Sequence, residues 1–370
     1  MPASLDAIRP SQRLILVSAV TLVAATGAMD AAGAAHVAVF VVAALGLAAL
    51  AAVVGESIEQ IGERLGPGAT GLLQSSLGNL PELLVAIFAL RAGLTRVVQA
   101  ALVGSVLGNV LLVLGIAFLS GGARHGTQRF QPESPRMLVT LLTLAAGSTL
   151  VPTLADRLDT PAVHHTVALS DVAAVVLLLV YLASIPFWLS GGPEQPPAAP
   201  GQEPSKLSAP RGSPSGPSWP MWLAIAVLAG ASAGSAAVSD WFVAALTPAT
   251  RALGISPVFT GLVIVAIASN AVENAAGVRF AWKARPDYAI STILNSPLQI
   301  TLFLTPLLVL ISPLIGPAHL TLVFPPLLVA ALAVAVVVVT VVVYDGEYSW
   351  LEGAALVALY VLVGSAFWWG

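Results

Sequence analysis

The sequence predicts an all-α polytopic membrane protein: about eleven transmembrane helices, arranged as one extra N-terminal helix and two inverted five-helix repeats. Three observations carry that prediction. The 370 residues are 57% hydrophobic and 9% charged, with a mean hydropathy of +0.92, whereas a soluble domain carries about 25% charged residues. Apolar runs near the roughly 20 residues needed to span hydrocarbon recur along the whole chain. Two of those runs hold a carboxylate in matched surroundings.

The apolar runs fall near residues 12–30, 36–54, 68–90, 97–119, 135–153, 166–189, 219–239, 256–281, 287–311, 319–343 and 349–368. The first follows Arg9 and Arg13 and is followed by small residues, a pattern a signal peptide shares; a retained first helix, residues 1–33, is the alternative. The longest polar stretch, 191–218, is rich in Pro, Gly and Ser and reads as a flexible linker. It separates a first set of five spans, 34–190, from a second, 219–370. Five is odd, so the second set starts on the opposite side of the membrane from the first, and two related sets are inverted.

Charge sets the orientation. With the N-terminus inside and eleven spans, Arg9, Arg13, Arg64, Arg124, Arg129, Arg136, Lys206, Arg211, Arg279, Lys283 and Arg285 lie inside, and Arg91, Arg96, Arg157 and Arg251 outside. The excess of basic residues inside predicts a cytoplasmic N-terminus and an external C-terminus. The chain has no cysteine, which excludes disulfides, zinc–thiolate sites and thiol catalysis.

The two matched segments are Gly78-Asn79-Leu-Pro81-Glu82 and Ser269-Asn270-Ala-Val-Glu273-Asn274. In each, Asn precedes Glu by three positions, and a Ser follows 23 residues later (105 − 82 and 296 − 273). A carboxylate in hydrocarbon costs several kcal/mol unless it is paired, protonated or facing a polar cavity, and neither segment contains a base. Glu82 and Glu273 supply four carboxylate oxygens; Asn79, Asn270, Ser105 and Ser296 add neutral ones. Asn274, Gln99, Asn109, Asn295 and Gln299 stand close by in sequence as a supporting set, although lone polar residues of this kind commonly join helices. Hard oxygen donors suit Ca²⁺ and suit soft metals poorly. Two carboxylates neutralise one divalent ion and can also each take a proton. Gly78, Pro81, Gly104, Gly108, Gly277, Pro297 and Pro306 mark places where these helices break and free carbonyls to face a cation.

Glu56, Glu59 and Glu63 recur at helical spacing near the end of the second span. Such a face gathers cations at a cavity mouth or forms a solvated helix end. The five histidines, 36, 125, 164, 165 and 319, fall at span ends or in loops and receive no role.

The run from Gly78 through Glu82, Gln99, Ser105 and Asn109 to Gly115 resembles the first signature repeat of the calcium/proton exchangers, in the calcium/cation antiporter superfamily. The run from Gly254 through Glu273 to Ser296 and Gln299 resembles the second, and Gly55-Glu56-Ser-Ile-Glu59 resembles the end of that family's second helix. The resemblance implies eleven helices with a retained first one, cation coordination by Glu82 and Glu273 helped by Asn79 and Asn270, and exchange of an ion for protons by alternating access. It also shows two departures. Asn274 replaces the histidine that usually follows the second glutamate, and Asn295-Ser296-Pro-Leu-Gln299 replaces Gly-Ser-x-x-Gln.

The expected function is therefore Ca²⁺/H⁺ antiport in a prokaryotic cytoplasmic membrane. A sodium-coupled exchanger, or a monovalent cation/proton antiporter of the same fold, is the nearer alternative. An intramembrane enzyme using two carboxylates is the alternative from another class. The expected partners are Ca²⁺, H⁺ (or Na⁺) and the bilayer; no cofactor and no nucleic acid is expected.

Overall fold

The computed structural model describes residues 8–65, 73–74, 77–189 and 219–369, apart from the side chains of Glu63, 187–189, Val272 and Glu273. Nearly all of it is helix. In chain order the elements are α1 (Pro10–Ala31), α2 (His36–Leu65), α3 (Leu80–Arg91), α4 (Thr95–His125), α5 (Glu133–Arg157), α6 (Thr166–Leu189), α7 (Met221–Leu253), α8 (Pro257–Trp282), α9 (Pro286–Ile315), α10 (Pro326–Tyr344) and α11 (Trp350–Ala366). Among the described residues, eight helices are long and apolar enough to cross a membrane, and nine if the bent α8 is one span. The other two are α11, which is apolar but shorter, and α3, of 12 residues, whose approach lies partly outside the described set.

Contacts between helix ends sort them onto two faces. On one, Gln12 at the start of α1 donates to Glu56 near the end of α2 (2.6 Å), and Arg64 donates to the carbonyl of Trp219, just before α7 (2.5 Å). His125, ending α4, meets the carbonyl of Trp282, ending α8, at 3.1 Å. Two short strands, β1 (Gln128–Arg129) and β2 (Glu347–Tyr348), pair antiparallel and tie the α4–α5 loop to the α10–α11 loop. On the other face, Gln99 near the start of α4 reaches the α9–α10 connection, His319 in that connection meets Asp171 near the start of α6 (3.1 Å), and Ser256 before α8 donates to the carbonyl of Phe367 after α11 (2.6 Å). Each of these contacts joins ends that alternating crossings put on one side, the first being the side of the linker.

The spans differ from the sequence expectation at three places. α7 runs 33 residues to Leu253, well past the apolar run that ends near 239. α10 begins at Pro326, and 316–325 is not helical. The Pro325-Pro326 pair ends any upstream helix, and side chains from four helices hold the extended backbone instead. Ser312, Ser170 and Thr153 accept from the amides of Leu320 (2.8 Å), Leu322 (2.9 Å) and Phe324 (3.0 Å), while Gln99 donates to the carbonyls of Thr321 and Val323 (3.2 and 2.9 Å). Irregular backbone at this depth is tolerated only when its polar groups are satisfied inside the protein. Finally, α4, α8 and α9 each contain a π-helical stretch: Gly108–Val113, Thr260–Val265 and Ile300–Leu304.

α2 packs along α7, with Phe40 stacked on Phe242 at 4.8 Å. The core lies where α4 meets α8. A methyl group at Gly104 would collide with the backbone of Leu262, and one at Gly261 with the carbonyl of Val97. These two glycines let the helices touch backbone to backbone, and that contact positions the site.

Candidate cation site

α3 starts at Leu80, with Pro81 in its first turn, where a missing N–H deprives no carbonyl of a partner. Glu82 lies in the same turn and is 3% exposed. The partial positive charge of a helix N-terminus favours a carboxylate there. Asn79 precedes the helix but does not cap it; its amide donates to Oε1 of Gln299, on α9, at 3.1 Å. One half of the chain is thereby joined to the other.

The second half answers from α8 and α9. Asn270 donates from Nδ2 to the hydroxyl of Ser105 at 3.2 Å, and Ser296 donates to Oδ1 of Asn270 at 3.2 Å. Ser105 in turn donates to the carboxylate of Glu82. The result is one hydrogen-bonded chain, Ser296 to Asn270 to Ser105 to Glu82, that crosses from the second half into the first. All four side chains are buried. In the low dielectric of such a site each link is stronger than in water, and a broken link is correspondingly costly. Along the sequence the two halves are offset by a constant 191 (270 − 79, 273 − 82 and 296 − 105). The π stretches of α4 and α9 start within one residue of the same offset. π-Helical turns of this kind recur at functional sites.

The backbone of Glu273 is in α8, and the helix bends by 68° between Ala271 and Asn274; its side chain lies outside the described residues. Four members of the supporting set are placed as follows. Gln299 meets Asn79. Asn109 donates to the carbonyl of Ser105 one turn back (2.8 Å), at the start of the π stretch beside the network. Gln99 is removed from the site: its amide donates to the carbonyls of Thr321 and Val323 in the α9–α10 connection. Asn295 is exposed, because it is one residue, about 100° of helix, from the inward-facing Ser296. At the linker face Glu56 accepts from Gln12 and Gln60 (2.6 and 3.2 Å), while Glu59 is exposed. Sequence reasoning missed the neighbouring lock: Trp219, fully buried, donates its indole N–H to Gln12 (3.0 Å) and its backbone N–H to Gln60 (3.2 Å). A Trp directly after a Pro/Gly/Ser-rich stretch was the available signal.

Helices broken near a buried carboxylate, with polar side chains from two offset halves closing on it, define a multi-pass membrane transporter and not an intramembrane carboxylate enzyme. Residues 35–189 and 223–369 match the sodium/calcium exchanger protein family, and the chain belongs to that family. It is 38% identical to a Ca²⁺/H⁺ antiporter of Synechocystis sp. over 338 residues, 89% of this chain and 90% of the relative. It is 33% identical to the Ca²⁺/H⁺ antiporter ChaA of Bacillus subtilis, over 89% of this chain and 91% of that one. Among solved structures it is similar to native YfkE, with a TM-score of 0.79 and 28% identity, covering 96% of this chain and 99% of the other. The H⁺/Ca²⁺ exchanger CAX, at 16% identity and a TM-score of 0.73, shares the fold.

Proposed function

We propose that this protein exchanges Ca²⁺ for H⁺ by alternating access, with Ca²⁺ held at the midplane between Glu82 and Glu273. The observation that carries the proposal is the chain Ser296–Asn270–Ser105–Glu82. It converges on a buried carboxylate from both halves, as a site that must open to either face requires. The named activity of the relatives from Synechocystis and Bacillus favours protons over sodium as the coupling ion.

In this reading residues 34–190 and 219–370 are the two inverted repeats, 1–33 is the extra helix and 191–218 the cytoplasmic linker. The N-terminus is cytoplasmic and the C-terminus external, in a prokaryotic cytoplasmic membrane. Ca²⁺ reaches the ionised pair from one face, with Glu56 and Glu59 attracting cations at the linker-side mouth. Two negative charges on the site neutralise the ion. Asn79, Asn270, Ser105 and Ser296 offer neutral oxygens, and Gln299 and Asn109 hold them in place. Protonation of the carboxylates from the other face removes the attraction and releases the ion.

The test is ΔpH-driven uptake of radioactive calcium into proteoliposomes. Wild-type protein takes up calcium when the imposed gradient is of protons, and Glu82→Gln does not, while still eluting as a folded species. Full uptake by Glu82→Gln, or uptake driven by a sodium gradient and not by ΔpH, refutes the assignment.

A further inference from the structure

The hydrogen bonds of the network engage two of the four neutral oxygens the site was expected to offer as acceptors. Oδ1 of Asn270 already accepts from Ser296, and the Ser105 hydroxyl is engaged with Glu82 and Asn270. One amide oxygen is different. Oδ1 of Asn274 is buried and receives no hydrogen bond, the only amide oxygen of which this holds among the described residues. A buried acceptor left without a donor is destabilising, so its persistence calls for an explanation.

Its position supplies one. Asn274 follows Glu273 directly and lies four residues after Asn270, on the far side of the 68° bend in α8. Asn270 is the residue that contacts Ser105 and Ser296. The turn from Asn270 to Asn274 runs toward the end of α8 that meets His125, that is, toward the linker face. An oxygen there that accepts no hydrogen bond can accept a cation. Ca²⁺ takes six to eight oxygens in a flexible shell, more than two carboxylates provide.

We propose that Asn274 coordinates the transported cation through its side-chain oxygen, completing the site on the linker side with a neutral ligand. The proposal rests on the cation-site reading above and adds to it a ligand that distinguishes hard cations that demand many oxygens from those that do not. A small ion that keeps much of its water, such as Mg²⁺, gains less from the extra oxygen than Ca²⁺ does.

Equilibrium binding of radioactive calcium to the purified full-length protein at one fixed pH tests this, with magnesium as competitor. The variants are Asn274→Leu, which keeps the shape and removes the oxygen, and Asn274→Ala. In both, the Kd for calcium is expected to rise about tenfold, the low end of what losing a supporting ligand does to a metal site, and the preference for calcium over magnesium to fall. Calcium-free Asn274→Leu is expected to unfold at or above the wild-type temperature, because an unsatisfied acceptor has gone. A wild-type Kd in the two variants overturns the proposal. So does a weaker Kd accompanied by a matching loss of stability in both, which marks a structural residue. Wild-type ΔpH-driven uptake is measured in parallel. If it is absent while Asn274→Leu still weakens calcium binding, the antiport reading fails and the Asn274 ligand stands.

Discussion

Asn270 of α8 donates its side-chain amide to the hydroxyl of Ser105 on α4 at 3.2 Å, although the two residues are 165 positions apart. Because Ser105 passes a hydrogen bond on to Glu82, the conformation of one half is read directly by the carboxylate of the other. The two residues therefore act as one unit. Ser105→Ala and Asn270→Ala are each expected to lower the initial rate of ΔpH-driven calcium uptake at least about tenfold, and the double variant to be no worse than the poorer single one, as coupled neighbours behave. A double variant showing the product of the two losses would mean that the contact carries no function.

Gly104 sets the distance across which that contact forms. Its replacement by Ala drives a methyl group into the backbone of Leu262, which has no side-chain freedom to yield. Gly104→Ala is expected to cost about 1–3 kcal/mol, as overpacking does, and to reduce uptake by separating Ser105 from Asn270. Gly108, with open space around it, is the control: Gly108→Ala lacks the collision. Thermal unfolding in detergent compares the pair, and equal destabilisation refutes the close-approach argument.

Thr153 and Gln99 hold the extended connection between α9 and α10. Thr153→Val strands the amide of Phe324, which donates to that hydroxyl, and is expected to cost about 1–3 kcal/mol for an unsatisfied buried donor. Gln99→Leu removes two donations to the same segment. Hydrogen exchange is the measurement: the amides of 320–324 lose protection in both variants while those of α4 keep theirs. Unchanged protection of 320–324 would assign the clamp no weight.

Tyr348 gives the structure an alkaline limit. Stacked on Phe118 with ring centroids 3.9 Å apart, its buried hydroxyl accepts no hydrogen bond and donates none, and desolvation pushes its pKa up to about 12 from 10.0. A folded-state pKa above the unfolded one means that the folded form holds the proton more tightly. This contribution is complete below pH 10.0 and is lost as pH rises through about 12. Thermal stability is thus expected to fall over that window in wild type and to fall less in Tyr348→Phe. At neutral pH the Phe variant is expected to be as stable as wild type or more so, since an unpartnered hydroxyl has been deleted. A neutral-pH loss above about 1 kcal/mol in Tyr348→Phe contradicts the account.

Glu82 and Glu273 stand out in the sequence because the bilayer makes them conspicuous: a charge in a lipid-length segment is expensive, and two with the same neighbours at a constant offset are candidates for one shared role. Pro81 and Gly78 announced the break before Glu82 for the same kind of reason, since each removes something a continuous helix needs. Gln99 was misplaced because sequence proximity to Ser105 says nothing about rotation and height on a helix. Six residues is more than one and a half turns, and its amide ends at the membrane-face connection. The non-helical start of the tenth span was hidden by an apolar composition that suits an extended segment as well as a helix, and hydropathy does not distinguish them.

What the sequence determined by itself is the class of protein, the recurrence of apolar segments along the chain and the identity of the buried acid and its polar companions. All of these follow from composition and from spacing along one chain. Only the tertiary structure decided which companions meet. Asn79 takes Gln299 as its partner, while the corresponding Asn270 takes Ser105 and Ser296. The physical reason is that repeats related in sequence are not held in the same conformation: the crossing of α4 and α8 at Gly104 and Gly261 brings one serine of each half to one amide, and no pattern along the chain encodes that crossing.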